Sequence, residues 1–265
     1  MTIIGERINS SRKPIARAIE ERDAAFIRDE ARKQLQAGAH FIDVNTGAFA
    51  EKEWPNLKWL IETVMAAGGT PLCIDSSDPE AVREALAICG SSAMVNSISA
   101  EKEKFSTVLP IIKEYDCKVV ALCLDDEGIP SELDGKIEVG CTLVDDLIKN
   151  GIKPANIYVD PLVMAISTDK RSGIIALKTI EEIHKKYPDI HIICGLSNIS
   201  FGLPVRKLMN RTFLVMGMAV GLDAFIFDPL DKQMMANLIT ATTLLGYDEY
   251  CADYIAAYRN NKLEM

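Results

Sequence analysis

The sequence predicts an α/β protein, a closed (β/α)8 barrel of the TIM type. Three observations favour this fold class: eight apolar, β-rich runs occur along the chain, amphipathic segments of helical length separate them, and no low-complexity linker interrupts the alternation. Strands that are apolar on both faces and joined by helix-length crossovers indicate a parallel sheet. Barrels of this kind commonly occupy about 250 residues, and this chain has 265.

The predicted strands are short runs rich in branched or aromatic residues. In chain order they are TIIGER from Thr2, FIDVNTG from Phe41, PLCIDSS from Pro71, AMVNSIS from Ala93, KVVALCLD from Lys118, IYVDPLV from Ile157, HIICGLSN from His191 and AFIFDPL from Ala224. An open, doubly wound sheet is the alternative arrangement. It is disfavoured because no GxGxxG motif follows the first strand, where a dinucleotide-binding fold would need it.

The connecting segments carry apolar residues at helical spacing, with Gly or Pro near their ends. The clearest are AFIRDEARKQLQAG, PEAVREALAICG, ALKTIEEIHKKYP and MMANLITATTLLG. The tail from Tyr247 to Met265, rich in aromatic and charged residues, is predicted to form one more helix packed outside the barrel. We therefore expect residues 1–265 to form a single domain with a short helical tail.

Composition and charge exclude several classes of partner. The formal net charge of −9 repels phosphate backbones and anionic lipid surfaces, so nucleic acid is not an expected partner. No segment approaches the roughly 18 apolar residues of a membrane span, and the N-terminus lacks the pattern of a signal peptide. The seven cysteines are odd in number and form no CxxC pair. These features favour a reducing, cytoplasmic location.

Polar side chains occur at the carboxyl ends of the predicted strands, where a barrel builds its active site. They are Glu6, Asp43, Asn45, Asp75, Asn96, Asp125, Asp160, Asn198 and Asp228. A strand-end Asp can instead cap the next helix, and the pairs Asp78-Pro79 and Asp228-Pro229 are open to that interpretation. Taken together, the set predicts a polar pocket at the barrel mouth.

The chemistry of this set narrows the class of ligand. The three histidines, His40, His184 and His191, fall away from the strand ends, so no metal site and no Ser-His-Asp or Cys-His arrangement is predicted. The set also lacks basic groups and a glycine-rich loop to hold a phosphate. Carboxylates accept hydrogen bonds, whereas carboxamides both donate and accept. A fused heterocycle with amino, ring N–H and carbonyl groups is the ligand that fits best.

Seven segments carry a resemblance to a known family. They are IIGERIN, HFIDVNTG, LCIDSS, AMVNSIS, YVDPLV, GLSNISFGLPVR and LMNRTFL, and they span essentially the whole chain. The sequence resembles the pterin-binding methyltransferases that move a methyl group between tetrahydrofolate and a corrinoid, including the folate module of cobalamin-dependent methionine synthase. The resemblance implies a barrel whose pterin ring lies across the C-terminal mouth.

The resemblance also implies roles for individual residues. Asp75, Asn96 and Asp160 match the residues that hydrogen-bond the pterin, Asn198 matches the catalytic asparagine near N5, and Arg206 matches a folate contact. Supporting candidates are Glu6, Asn9 and Asp43.

Within the segment GLSNISFGLP, Gly195 would let the backbone approach a ring closely, and Ser197 would present a polar group beside Asn198. Phe201 departs from the acetogen pattern, which has a glutamine there, and follows the methionine synthase pattern. No high-pKa acid is apparent beside Asn198, so its carboxamide is expected to hydrogen-bond a protonated N5.

The implied activity is methyl transfer between 5-methyltetrahydrofolate and the cobalt of a corrinoid such as cobalamin. The segment DIHIICG is one residue too long for the DxHxxG motif of a cobalamin-binding protein, so the corrinoid is expected on a separate partner protein. A homodimer is expected from the family. Two alternatives stay open, namely a dihydropteroate synthase-like enzyme and a non-catalytic folate-binding barrel. The first would need a Lys/Arg cluster on the late loops, which the sequence does not obviously provide.

Overall fold

The computed structural model describes residues 1–69 and 71–263 and has the predicted architecture. Eight parallel strands pair in sequence order, and the last strand pairs with the first to close a barrel. The strands are β1 (Thr2–Asn9), β2 (Phe41–Asn45), β3 (Leu72–Asp75), β4 (Met94–Ser99), β5 (Lys118–Leu122), β6 (Ile157–Asp160), β7 (His191–Gly195) and β8 (Ala224–Phe227).

Helices surround the barrel. In the described part of the chain they are α1 (Lys13–Glu20), α2 (Ala24–Gln36), α3 (Glu53–Met65), α4 (Pro79–Cys89), α5 (Lys102–Tyr115), α6 (Leu133–Lys149), α7 (Ser172–Lys186), α8 (Arg206–Ala219), α9 (Lys232–Leu244) and α10 (Ala252–Arg259). The four helices predicted most clearly are confirmed to within a few residues at each end. None of the helices in the described part of the chain is both long and apolar enough to cross a membrane.

The period of two along each strand places one set of side chains inside the barrel. A buried layer there contains Ile4, Phe41, Cys73, Met94, Val120, Tyr158, Ile193 and Ala224, one residue from each strand. Residues between them on the strands, such as Ile3, Ile42 and Ile74, belong to the larger core. The barrel is therefore a packed core with an apolar floor below its mouth.

The next interior layer begins two residues further along each strand. Those positions are Glu6, Asp43, Asp75, Asn96, Leu122, Asp160, Gly195 and Ile226. Five of the eight positions carry a polar side chain, and these side chains end the barrel interior at the carboxyl edge of the sheet. The alternation that builds the core thus also builds a polar ring above it.

Of the two aspartates that could cap a helix, Asp78 does so and Asp228 does not. The Asp78 carboxylate accepts a hydrogen bond from Glu80 N (3.0 Å) at the start of α4, as a capping residue does. Asp228 does not cap α9, because Asp231 holds that place and accepts from Met234 N.

The C-terminal tail contains a shorter helix than predicted. Tyr250 and Cys251 have φ angles of 57° and 56°, which break the helical path before α10 begins. Asp248 anchors the break, because its carboxylate accepts from Asp253 N and Tyr254 N and from the Thr243 hydroxyl. These hydrogen bonds lower the pKa of Asp248. The helix packs on α9 outside the barrel, as expected. Residues 264 and 265 of the predicted tail lie outside the described residues.

Candidate functional site

A cavity of about 590 Å³ opens at the carboxyl ends of the strands. Nine of the ten residues predicted for the site line it: Glu6, Asn9, Asp43, Asp75, Asn96, Asp160, Gly195, Ser197 and Asn198. Arg206 is the exception. The structure thus brings together side chains from five strands and from the segment after β7 into one polar pocket.

Strand register brings polar residues of three adjacent strands to one level. Asn45 of β2 pairs with Asp75 at the end of β3, and Asp75 pairs with Asn96 of β4, which continues to Ser99. On the far side of the barrel, Asp160 is level with Leu122. At this level the polar side chains lie on β1 to β4 and on β6, and the positions on β5, β7 and β8 are Leu122, Gly195 and Ile226.

Asp43 and Asp75 form a buried acidic pair. Burial, followed by repulsion from the Asp75 carboxylate, raises the pKa of Asp43 well above its ordinary value, despite hydrogen bonds with the Cys73 and Asn96 side chains. Burial also raises the pKa of Asp75, and the Asn45 hydrogen bond and the Lys104 charge oppose that rise. One Asp43 oxygen, Oδ1, is buried without a hydrogen-bond partner. The pair can therefore hold a carboxyl proton and donate it in a hydrogen bond.

Asp160 lies opposite this pair, at the end of β6. Its Oδ1 accepts a hydrogen bond from Leu162 N at 2.8 Å. Burial raises the pKa of Asp160 to about 6, and the Leu162 hydrogen bond and the Lys136 charge limit the rise. The side chain is consequently a mostly ionised acceptor at neutral pH.

Glu6 is an acid in the pocket whose raised pKa is not apparent from the sequence. Burial and the nearby Asp228 carboxylate raise the pKa of Glu6 to about 7, and the charges of Arg12 and Arg206 oppose them. The pocket therefore contains an acid with a raised pKa, although the prediction concerned only the surroundings of Asn198. The environment of Glu6 depends on β8 and on residues beyond both strands, which no local pattern around Glu6 reports.

The end of β7 supplies the remaining predicted groups. After Gly195 the chain forms a 3-10 helix, Leu196–Ser200, that directs Ser197 and Asn198 into the cavity. A Cβ added at Gly195 would lie 3.6 Å from Asn198 Nδ2. Since other strands place a side chain at this level, the glycine leaves open space beside Asn198.

Three comparisons with known proteins bear on the identity of this pocket. The family model described as "Pterin binding enzyme" matches residues 5–228. The chain belongs to the pterin-binding enzyme family.

Relatives within and near the family differ in how closely they match. The chain is 43% identical to the methylcorrinoid:tetrahydrofolate methyltransferase of Eubacterium limosum, over 99% of this chain and 98% of that protein. It is 30% identical to the methionine synthase of Mycobacterium tuberculosis, over 84% of this chain and 20% of that protein. A dihydropteroate synthase from Coxiella burnetii, solved with pteroic acid, superposes with a TM-score of 0.71 at 16% identity, covering 91% and 93% of the two chains. That likeness shows the shared fold alone.

Arg206 supports the mouth pocket from outside its lining. Its guanidinium donates to Ser197 O (2.7 Å) and to Ser200 Oγ (3.1 Å), which ties the start of α8 to the loop that carries Asn198. The same group lies 5.9 Å from the centre of the Phe201 ring, and this ring is 67% exposed at the rim. In this structure Arg206 holds the loop.

Basic groups do reach the mouth pocket, contrary to the sequence expectation. Arg12 and Lys207 line it, and Arg211 follows one turn after Lys207 on α8. Asp231 compensates this charge, because its carboxylate contacts Arg211 at 2.6 Å and Lys207 at 3.5 Å. The cluster was missed because residues of α8 meet the cap of α9 only in the folded barrel.

Other polar groups that line the pocket were also outside the prediction. They are Ser11, Asn210 and Asp231, whereas Asp228 was among the strand-end residues expected at the mouth and also lines the pocket. Asn210 Oδ1 is buried without a hydrogen-bond partner. Asp228 accepts from Arg7 at 2.7 Å and from Leu230 N at 3.0 Å, so it is part of a turn and an ion pair.

Two strand-end residues that were expected at the mouth do not line it. Asp125 lies in a turn closed by Gly128 and accepts from Glu127 N, facing a separate groove beside α6. Asn45 braces the pocket from behind, with its Nδ2 donating to Asp75 O at 3.4 Å. Within the described residues, no group of three or more His, Cys, Asp or Glu side chains is placed to hold a metal ion.

Proposed function

We propose that this protein transfers a methyl group between the cobalt of a corrinoid, carried by a separate protein, and N5 of tetrahydrofolate. The strongest support is the 43% identity with a methylcorrinoid:tetrahydrofolate methyltransferase over almost the full length of both chains. The name of that relative also favours the direction from methylcorrinoid to tetrahydrofolate.

We propose that the pterin ring lies across the polar ring. Ionised Asp160 accepts from the amino group or a ring N–H of the pterin, and Asn96 both donates and accepts on one edge. The Asp43 and Asp75 pair can supply either an acceptor or a protonated donor. The apolar floor below, which includes Cys73 and Met94, leaves these groups as the principal polar partners.

The reacting nitrogen is proposed to lie at the β7 side of the pocket. Gly195 leaves space for the ring, and the Asn198 carboxamide hydrogen-bonds N5. Ser197 and Asn9 complete the polar rim, while Arg206 holds the loop in place through Ser197 O. Glu6 is proposed as a proton-holding group of the pocket, since its pKa of about 7 lies near neutrality.

The transfer step needs an unprotonated N5. Its lone pair attacks the methyl carbon, the carbon–nitrogen bond forms as the carbon–cobalt bond breaks, and the electron pair of the broken bond stays on cobalt, which becomes Co(I). The methylated N5 carries a positive charge until it releases its proton. Asn198 stabilises that charged state by accepting a hydrogen bond from the N5 proton once the lone pair has been used. The reverse reaction uses the same contacts.

Further properties of the protein are part of the proposal. We propose that residues 1–265 form one domain and that the protein is a homodimer. Exposed apolar side chains on α8, such as Leu208 and Met216, support a second copy at that face. All seven cysteines lie in the described residues and carry free thiols, which supports a cytoplasmic location. Sedimentation analysis and localisation of a tagged protein test these two points.

The activity test mixes the purified protein with tetrahydrofolate and methylcobalamin and follows the corrinoid absorbance anaerobically. We expect loss of methylcobalamin, formation of Co(I) and an equal amount of 5-methyltetrahydrofolate. Exchange in neither direction, despite tetrahydrofolate binding, would refute the proposal. Condensation of a dihydropterin diphosphate with 4-aminobenzoate would instead favour the dihydropteroate synthase alternative.

A further inference from the structure

Lys136 is a buried lysine that the proposed reaction does not use. It lies on α6, outside the mouth cavity, and only 3% of its surface is exposed. Its Nζ donates to Pro161 O at 2.7 Å and to Leu162 O at 3.0 Å. A lysine is rarely buried so deeply unless its charge has a specific task or partner.

The two carbonyls follow directly after the strand end that carries Asp160. Pro161 O belongs to the same peptide group as Leu162 N, and Leu162 N donates to Asp160 Oδ1 at 2.8 Å. One peptide plane therefore has its oxygen on the lysine cation and its N–H on the carboxylate. A rotation of that peptide would break both contacts together.

The backbone at this point is strained. Leu162 has a φ of 54°, in the left-handed region that a branched apolar residue seldom adopts. Such a conformation persists only where surrounding contacts determine it. The two hydrogen bonds from Lys136 Nζ, to the carbonyls of the peptides on both sides of Leu162, are contacts of that kind.

We propose that Lys136 is a positioning residue for the pterin site, which holds the Pro161–Leu162 peptide so that its N–H orients the Asp160 carboxylate and keeps it ionised. This inference rests on the proposed pterin contact of Asp160. It adds a group outside the pocket that sets the charge state of a group inside it.

Among the titratable groups around Asp160, Lys136 has the main influence on the charge state of the carboxylate. The titratable and charged groups that face the carboxylate are Lys136 on α6, the Cys123 thiol after β5 and the Cys194 thiol on β7. Burial raises the pKa of Cys123 to about 12 and that of Cys194 well above its ordinary value, so both thiols are neutral. Burial lowers the pKa of Lys136 itself, and the neighbouring Asp160 opposes this.

The test compares tetrahydrofolate affinity across pH for the wild-type protein, Lys136→Met and the control Lys149→Met. Lys149 ends the same helix with an exposed side chain. In the wild type, affinity should rise with pH through about 6 as Asp160 ionises. In Lys136→Met that rise should move to higher pH. A shift of one unit would weaken binding by about eightfold at pH 5.5 and leave it unchanged on the alkaline side of the rise. Lys149→Met should follow the wild type.

The variant Asp160→Asn separates positioning from general damage. In that background Lys136→Met should no longer change the pH dependence, because the titrating group is absent. An equal loss of affinity at every pH in Lys136→Met, or the same pH shift with and without Asp160, would overturn the proposal.

A measurement on the wild type covers the case in which Lys136→Met does not fold. The amide proton of Leu162 should titrate near pH 6 in the NMR spectrum, since it donates to the carboxylate. An amide that does not respond to pH would overturn the proposal. If tetrahydrofolate does not bind, or if Asp160→Asn does not weaken its binding, the pterin role of Asp160 fails. The amide titration still decides whether the Pro161–Leu162 peptide, which Lys136 holds, senses the ionisation of Asp160.

Discussion

Asp160→Asn should stabilise the ligand-free protein more at alkaline than at acid pH. The Asp160 carboxyl is buried, and burial raises its pKa from 3.8 to about 6. The folded state therefore holds this proton more tightly than the unfolded state. The stability of the wild type should consequently fall as pH rises from the unfolded to the folded pKa, by about 3 kcal/mol in total. The Asn side chain keeps the shape and can still accept from Leu162 N, but it does not ionise.

The loss of stability can be compared at pH 5 and at pH 8. At pH 5 about half of the penalty is present, and at pH 8 all of it is, so the advantage of Asp160→Asn should grow by about 1.5 kcal/mol between them. Urea unfolding of both proteins at each pH measures this difference. The exposed Asp189→Asn variant is the control and should show no such growth. An advantage that is the same at pH 5 and pH 8 would refute the assignment of a raised pKa to Asp160.

Three further predictions concern the pocket. Asn198→Ala should lower the rate of methyl transfer at least tenfold while changing tetrahydrofolate affinity little, because the contact of Asn198 with N5 strengthens in the transition state. Single-turnover kinetics measure the rate, and a binding isotherm measures the affinity. In the wild type, tetrahydrofolate affinity should decline above about pH 7, since a bound ring desolvates Glu6 further and favours its protonated form. Glu6→Gln should abolish that decline. Calorimetry in buffers of different ionisation enthalpy detects the proton uptake on binding. Gly195→Ala should weaken tetrahydrofolate binding, because the added methyl group occupies the space of the ring. It should not lower stability, because in the free protein that methyl group has only an ordinary contact at 3.6 Å. Thermal unfolding and affinity measurements distinguish this result from general damage.

Much of the architecture follows from sequence because side chains alternate between the two faces of a strand. This alternation assigns each strand residue to the barrel interior or exterior with little dependence on tertiary context. Tyr158 and Asp160 lie two apart on one strand, so a strand whose interior residue is apolar must present the following polar residue at the mouth. The pairs Cys73 and Asp75, and Met94 and Asn96, follow the same rule. The polar ring was therefore predictable strand by strand.

The remainder depends on contacts between distant segments. The pKa of Glu6 reflects Asp228, which is far away in sequence, and the pairing of Lys207 with Asp231 needs α8 and α9 to pack. Asp125 was placed wrongly because a strand-end residue and a turn residue look alike in sequence when the strand ends early, at Leu122. These errors concern charge balance and loop direction, which local patterns do not encode.

The most direct test of the central claim is a crystal structure of the protein with tetrahydrofolate. We expect the pterin ring across the strand ends, with its edge on Asp75, Asn96 and Asp160 and with N5 within hydrogen-bond distance of Asn198. A pterin bound elsewhere, for example in the groove beside Asp125, or one in the mouth with N5 turned away from Asn198, would contradict it.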